Sequence, residues 1–231
     1  MTPHALAKTI DHALLQPNLT NREFDAGCDV AVKFGVKAVC VKSADVGRAF
    51  NRVSSSSVGV CAVVGFPHGN TRVEVTALEA KLSLDQGATE IDVVVPLSAT
   101  LSHDFPAVES YVRTLNECVV GQGGILKVIF ETGLIVDPAL KIKLCEICRN
   151  CGVAFVKTST GFATARGSDG VLRQLGATVD DVQLLVKHAR PTCEVKASGG
   201  IRTLAEVRRY LELGATRVGT ASTAAILAET E

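Results

Sequence analysis

A chain of 231 residues that is 47% hydrophobic can bury a substantial core as one α/β barrel or sandwich, so a single domain over residues 1–231 is expected. Its 24 basic and 24 acidic residues cancel, which argues against nucleic acid or an anionic membrane as partner and leaves any anion to a local site. No apolar run reaches the roughly 18 residues that cross a bilayer, and Met1 to Asp11 has neither the basic start nor the apolar stretch of a secretory leader, so a cytoplasmic location is expected.

Taken in chain order, strand-like runs begin at Thr9–Asp11, followed by a helical stretch near Arg22–Phe34 that reads as an extra N-terminal helix. Further strands are expected at Ala38–Val41, Val58–Val64, Glu90–Val95, Ile125–Glu131, Ala154–Ser159, Glu194–Ala197 and Arg217–Gly219. Amphipathic stretches separate them at Thr71–Gln86, Phe105–Gly121, Asp137–Cys151, Val179–Ala189 and Leu204–Leu213, several ending in Gly as helix C-termini prefer. Eight apolar strands alternating with helices predict a parallel sheet closed into a (β/α)8 TIM barrel.

Eight cysteines raise the question of disulfides or metal, but most stand in apolar surroundings and read as reduced, packed thiols. Cys145, Cys148 and Cys151 form a C-x-x-C-x-x-C run that lacks the fourth Cys and the Pro of a ferredoxin-type cluster. Asp137-Pro138 reads as the cap and first turn of a helix that puts Cys145 and Cys148 on one face beside Leu144, so no metal is expected.

Two lysines sit inside strand-like segments, Lys157 in Phe-Val-Lys-Thr-Ser-Thr-Gly and Lys196 in Glu-Val-Lys-Ala-Ser-Gly-Gly. Strand periodicity places Asp92 on one face with Glu90 and Val94, and Lys127 on one face with Ile129 and Glu131. If these faces point inward, Asp11, Asp92, Lys127, Lys157 and Lys196 meet at the C-terminal mouth of the barrel, where barrel chemistry resides. An inert plug of ion pairs is one reading. Three inward lysines with too few carboxylates would instead leave a buried cationic excess, which favours a use for it. Schiff-base formation is such a use, since a lysine becomes nucleophilic near neutral pH when burial or a neighbouring cation favours its neutral form. Ser-Gly199-Gly200 and Gly219-Thr220-Ala221-Ser222 end the last two strands, where barrels commonly hold phosphate on backbone N–H groups.

These residues resemble the deoxyribose-phosphate aldolases, lysine-dependent class I aldolases. The matching stretches run nearly end to end, among them Ile10-Asp-His-Ala-Leu-Leu, Val63-Val-Gly-Phe-Pro-His-Gly, Leu126-Lys-Val-Ile-Phe-Glu-Thr-Gly and the ordered pair Lys-Thr-Ser-Thr-Gly and Lys-Ala-Ser-Gly-Gly. The resemblance implies Lys157 as the Schiff-base lysine, Lys196 as the second lysine that tunes it and relays protons, and Asp92 as proton donor and acceptor. It implies Asp11, Cys40 and Lys127 in the same pocket, and Thr160, Gly161, Gly199, Gly200, Gly219, Thr220 and Ser222 on the substrate. The implied reaction is reversible cleavage of 2-deoxy-D-ribose 5-phosphate to D-glyceraldehyde 3-phosphate and acetaldehyde, with neither metal nor organic cofactor, in a possible homodimer. Ala221 departs from the family by lacking a hydroxyl, and the loop after Phe162 carries Arg166, which reads as solvated rather than on phosphate. The alternatives are a related phosphosugar barrel whose lysines act as charge clamps, and a non-catalytic barrel that binds sugar phosphate.

Overall fold

Eight short, β-branched runs form the strands of a closed parallel barrel. In the computed structural model, which describes residues 1–230, they are β1 (Ile10–Leu14), β2 (Ala38–Lys42), β3 (Gly59–Val64), β4 (Glu90–Val94), β5 (Ile125–Ile129), β6 (Phe155–Lys157), β9 (Glu194–Ser198) and β10 (Arg217–Thr220). Hydrogen bonding runs β1-β10-β9-β6-β5-β4-β3-β2 and closes on β1. Strands β7 (Thr164–Arg166) and β8 (Leu172–Gln174) pair antiparallel in an exposed hairpin after β6, where a plain loop was expected.

The helices are α1 (Pro3–Ala7), α2 (Asn21–Phe34), α3 (Val46–Val53), α4 (Val73–Asp85), α5 (Leu97–Leu101), α6 (Phe105–Val120), α7 (Pro138–Asn150), α8 (Val179–Ala189), α9 (Leu204–Glu212) and α10 (Thr223–Ala228). Local chemistry sets their starts. Thr20 with Glu23 and Thr203 with Glu206 form capping boxes, and Asp137 accepts a hydrogen bond from the Ala139 amide ahead of Pro138. The expectation of an extra helix at Arg22–Phe34 is corrected: α2 is the regular crossover from β1 to β2, and the supernumerary helices are α1, which precedes β1, and the short α5, which precedes α6 in the β4–β5 crossover. Helix α1 spans only 5 residues, too few for hydrophobic periodicity to register.

The strands divide two interiors. Outward residues such as Val39, Ile91, Leu126, Val156 and Val218 join the helices in one apolar layer. Cys145 and Cys148 lie in that layer, and burial pushes both thiols up, Cys145 to about 12. The inward residues are charged on β1, β4, β5, β6, β9 and β10, while Ala38, Cys40, Cys61 and Val63 of β2 and β3 form a small apolar cluster beside them.

Candidate active site

Register brings the two strand lysines side by side, because Lys157 on β6 and Lys196 on β9 are direct Cα partners. Both ammonium groups donate to one oxygen, Asp92 Oδ2, at 2.7 and 2.8 Å. Asp92 itself pairs in register with Lys127, whose Nζ donates to Asp92 Oδ1 at 2.7 Å and lies 2.6 Å from Glu90 Oε2. Lys196 also donates to Asp11 Oδ2 at 2.5 Å. Arg217 closes the set, reaching Asp11 Oδ1 at 2.7 Å and Glu90 Oε2 at 2.9 Å. Cys61 lies between them, its thiol donating to Asp92 Oδ1 and accepting from Lys127, each at 3.1 Å.

Four cations thus meet three carboxylates within contact distance. The cationic excess inferred from the sequence is present, but its origin is corrected: Asp11, Glu90 and Asp92 match the three lysines in number, and Arg217 brings the surplus. Sequence reading missed Arg217 because a charged residue opening a strand reads as an exposed end.

Electrostatics separates the roles. Burial alone would raise the Asp92 carboxyl, but Lys127, Lys157 and Lys196 outweigh it and hold it well below the ordinary carboxylate range. Asp92 therefore rests as a carboxylate, and any proton it donates is one received during the reaction. Burial would lower Lys196, yet Asp11 and Asp92 hold its ammonium above the ordinary lysine range. The second lysine is a firmly charged neighbour of Lys157.

A cavity of about 170 Å³ opens above this network at the C-terminal ends of the strands. Lys157, Lys196 and Cys40 form part of its floor, and Thr160, Gly161, Gly199, Gly200, Gly219, Thr220 and Ser222 border it, with Ala221. Asp11, Asp92 and Lys127 do not line it. They are fully buried one layer below and act on the cavity through Lys157 and Lys196, the lysines that line it. Two expected ligands are also committed elsewhere: the Thr220 hydroxyl donates to the Ile201 carbonyl at 2.7 Å and accepts from the Ser222 amide, and the Thr160 hydroxyl donates to Glu131.

The glycines have distinct tasks. Gly199 has φ 91°, and a Cβ there would lie 2.9 Å from Gly176 Cα. A Cβ at Gly219 would sit 3.2 Å from Lys196 Cε, so this glycine makes room for the lysine. Arg166 lies outside the cavity on the hairpin and donates to the Gly170 carbonyl, as a solvated loop arginine would. The cation at the rim is Arg202, unremarked in the sequence although it follows Gly-Gly-Ile directly. Behind Ser222, buried His12 shares a 2.8 Å hydrogen bond with Thr223, and burial pushes its imidazole down to about 4.

Cys40, Cys61 and Asp92 bring potential ligand atoms within 4.8 Å of one another, a spacing a thiophilic cation could use. The three lysines that share Asp92 oppose another positive charge there.

No family model matches the chain. Named relatives do. A deoxyribose-phosphate aldolase of Rhodopirellula baltica is 36% identical over 226 residues, 98% of this chain and 89% of its own. One of Caldanaerobacter subterraneus is 39% identical over 225 residues, 97% and 93% of the two chains. Among solved structures, the tetrameric deoxyribose phosphate aldolase from Aeropyrum pernix superposes with a TM-score of 0.87 at 30% identity, covering 99% of this chain and 92% of that one.

Proposed function

The chain belongs to the deoxyribose-phosphate aldolase family, and from that membership we propose that Lys157 is the amine that bonds the substrate. The enzyme is a carbon–carbon lyase that cleaves 2-deoxy-D-ribose 5-phosphate reversibly to D-glyceraldehyde 3-phosphate and acetaldehyde. The observation that carries the assignment is the shared oxygen: Lys157 and Lys196 both rest on Asp92 Oδ2 at the cavity floor, and Lys196 has a second carboxylate while Lys157 has none. Lys196 is the firmly charged member of the pair, which leaves Lys157 as the amine for the substrate.

In the cleavage direction, neutral Lys157 attacks C1 of the open-chain sugar to give a carbinolamine. Loss of water leaves an iminium, with Asp92 and Lys196 handling the protons directly or through one water. The C3 hydroxyl then loses its proton as the C2–C3 bond breaks, and the bonding electrons flow into the iminium, leaving the enamine of acetaldehyde. Protonation at C2 and hydrolysis release acetaldehyde and restore the amine. Anchoring the phosphate near Gly199, Gly200, Arg202 and Ser222 fixes the reacting carbons beside Lys157, which contributes orientation.

Borohydride reduction in the presence of acetaldehyde tests the assignment. An N-ethyl group on Lys157, found by peptide mass, is the expected result, and an adduct confined to Lys196 would reverse the two roles. The proposal extends to a cytoplasmic setting, which the eight free cysteines support. It extends also to self-association, for which exposed Val75, Leu78 and Leu82 give α4 an apolar stripe.

A further inference from the structure

Arg217 opens β10 and is buried, with its guanidinium 5.2 Å from the Phe155 ring centroid. It does not line the cavity and so touches no substrate. Its bonds go to Asp11 Oδ1 and to both Glu90 oxygens, at 2.7, 2.9 and 3.4 Å. What remains open to it is an electrostatic role.

An arginine does not deprotonate inside a protein, whereas a lysine does. In ion-pair contact, three carboxylates face four cations, Glu131 being held by Thr160 instead, and an unanswered charge in a buried set is unfavourable. Since Arg217 cannot relieve the surplus, a lysine must. Lys127 contacts Asp92 and Glu90 at 2.7 and 2.6 Å, and Lys196 contacts Asp11 and Asp92 at 2.5 and 2.8 Å. Lys157 has a single contact, on the oxygen that Lys196 also uses. We infer that Arg217 is a positioning residue for charge in the aldol reaction, supplying through Asp11, Glu90 and Lys196 the fixed positive charge that makes Lys157 the lysine to lose its proton. Without it the count is three against three, and each lysine has a carboxylate to hold its proton. The inference rests on the assignment of Lys157 as the imine-forming amine.

The groups facing Lys157 come from every neighbouring strand. They are Asp92 from β4, Glu131 at the end of β5, Lys196 from β9 and Cys40 from β2, with Lys127, Cys61, Asp11 and Glu90 behind Asp92 and Lys196. Burial raises the Glu131 carboxyl, which is held by Thr160 with no ion pair among the described residues. The Cys40 thiol is drawn down by its hydrogen bond with Cys61. Glu131 and both cysteines are unchanged in the variants compared below, so differences between variants report on Arg217 and Glu90.

The test follows the N-ethyl adduct on Lys157 after acetaldehyde and borohydride across a pH series, in wild type, Arg217→Met, Arg217→Lys, Glu90→Gln and the double variant Arg217→Met/Glu90→Gln. The midpoint should rise by about one pH unit or more in Arg217→Met. It should fall in Glu90→Gln, return near wild type in the double variant and hardly move in Arg217→Lys. Structural damage alone would lower the yield without this alternation of sign. Midpoints that stay put, or that move in one direction in both single charge variants, overturn the inference. Should Arg217→Met fail to fold, a Glu90→Gln midpoint that is not lowered overturns it equally. Absence of any Lys157 adduct in the wild type refutes instead the assignment of the amine, so the two failures are distinguishable.

Discussion

Along β4 the side chains of Ile91 and Val93 enter the apolar layer beneath the helices, while the alternating Glu90 and Asp92 turn into a barrel interior filled with charge. Strands β5 and β9 repeat the division: Leu126 and Val128 flank Lys127, and Val195 and Ala197 flank Lys196. The outer layer is held by area and shape, and a substitution there is felt in proportion to the volume it removes. The inner set gains little net stability from its ion pairs, because desolvation offsets most of the attraction. What the inner set determines is which group carries a proton.

The largest effect should come from Lys157→Ala, which leaves the outer layer intact and removes the proposed nucleophile. The rate of aldehyde release should fall by on the order of 10⁴-fold or more, with the thermal midpoint nearly unchanged; retained turnover would break the division between the layers. Lys196→Leu should also be severe, by on the order of 10²- to 10⁴-fold, and should shift the pH optimum upward because Lys157 loses its charged neighbour. In the outer layer, Ile91→Ala should cost about 2–5 kcal/mol of stability, read by denaturant melts, while kcat of the protein that remains folded stays within a few-fold.

Acid sharpens the same contrast. Burial would raise the Asp11 carboxyl, but Lys196, Lys127 and Arg217 hold it at about 2 against an ordinary 3.8. A depressed carboxylate pKa contributes stability that is present above the unfolded value and is lost as pH falls through the folded one. Stability should therefore decline between pH 3.8 and about 2, by roughly 2 kcal/mol from this group alone. With no tryptophan in the chain, far-UV circular dichroism is the suitable probe. The smallest effect belongs to the rim: Ala221→Ser should lower KM for the phosphorylated sugar by about tenfold, the low end of the worth of one hydrogen bond to a charged group, and leave KM for free deoxyribose unchanged.

Much of the outer architecture was legible because period-two apolar runs and helix caps are local signals. Asp92 and Lys127 could be placed inward from their own strands alone. Arg217 could not, since its direction depends on the stagger of a closed barrel and its partners lie 206 and 127 residues away. The commitment of Thr160 and Thr220 to internal bonds was hidden for the same reason: the acceptors, Glu131 and the Ile201 carbonyl, belong to other loops. Helix α3 escaped notice although Val46, Ala49 and Val53 recur at helical spacing, because 8 residues are too short a window for that period to stand out. Hairpin β7–β8 is exposed throughout and leaves no burial pattern to read.

The closure of the barrel on β1 and β10 also dictates when the site comes into being during synthesis. Asp11 is translated early, and its partners Lys196 and Arg217 follow 185 and 206 residues later. A ribosome-bound chain that already contains Lys157 and Asp92 therefore lacks the charge balance that frees an amine. On the proposed assignment, the charged surroundings of Lys157 are complete only when the last strand is in place.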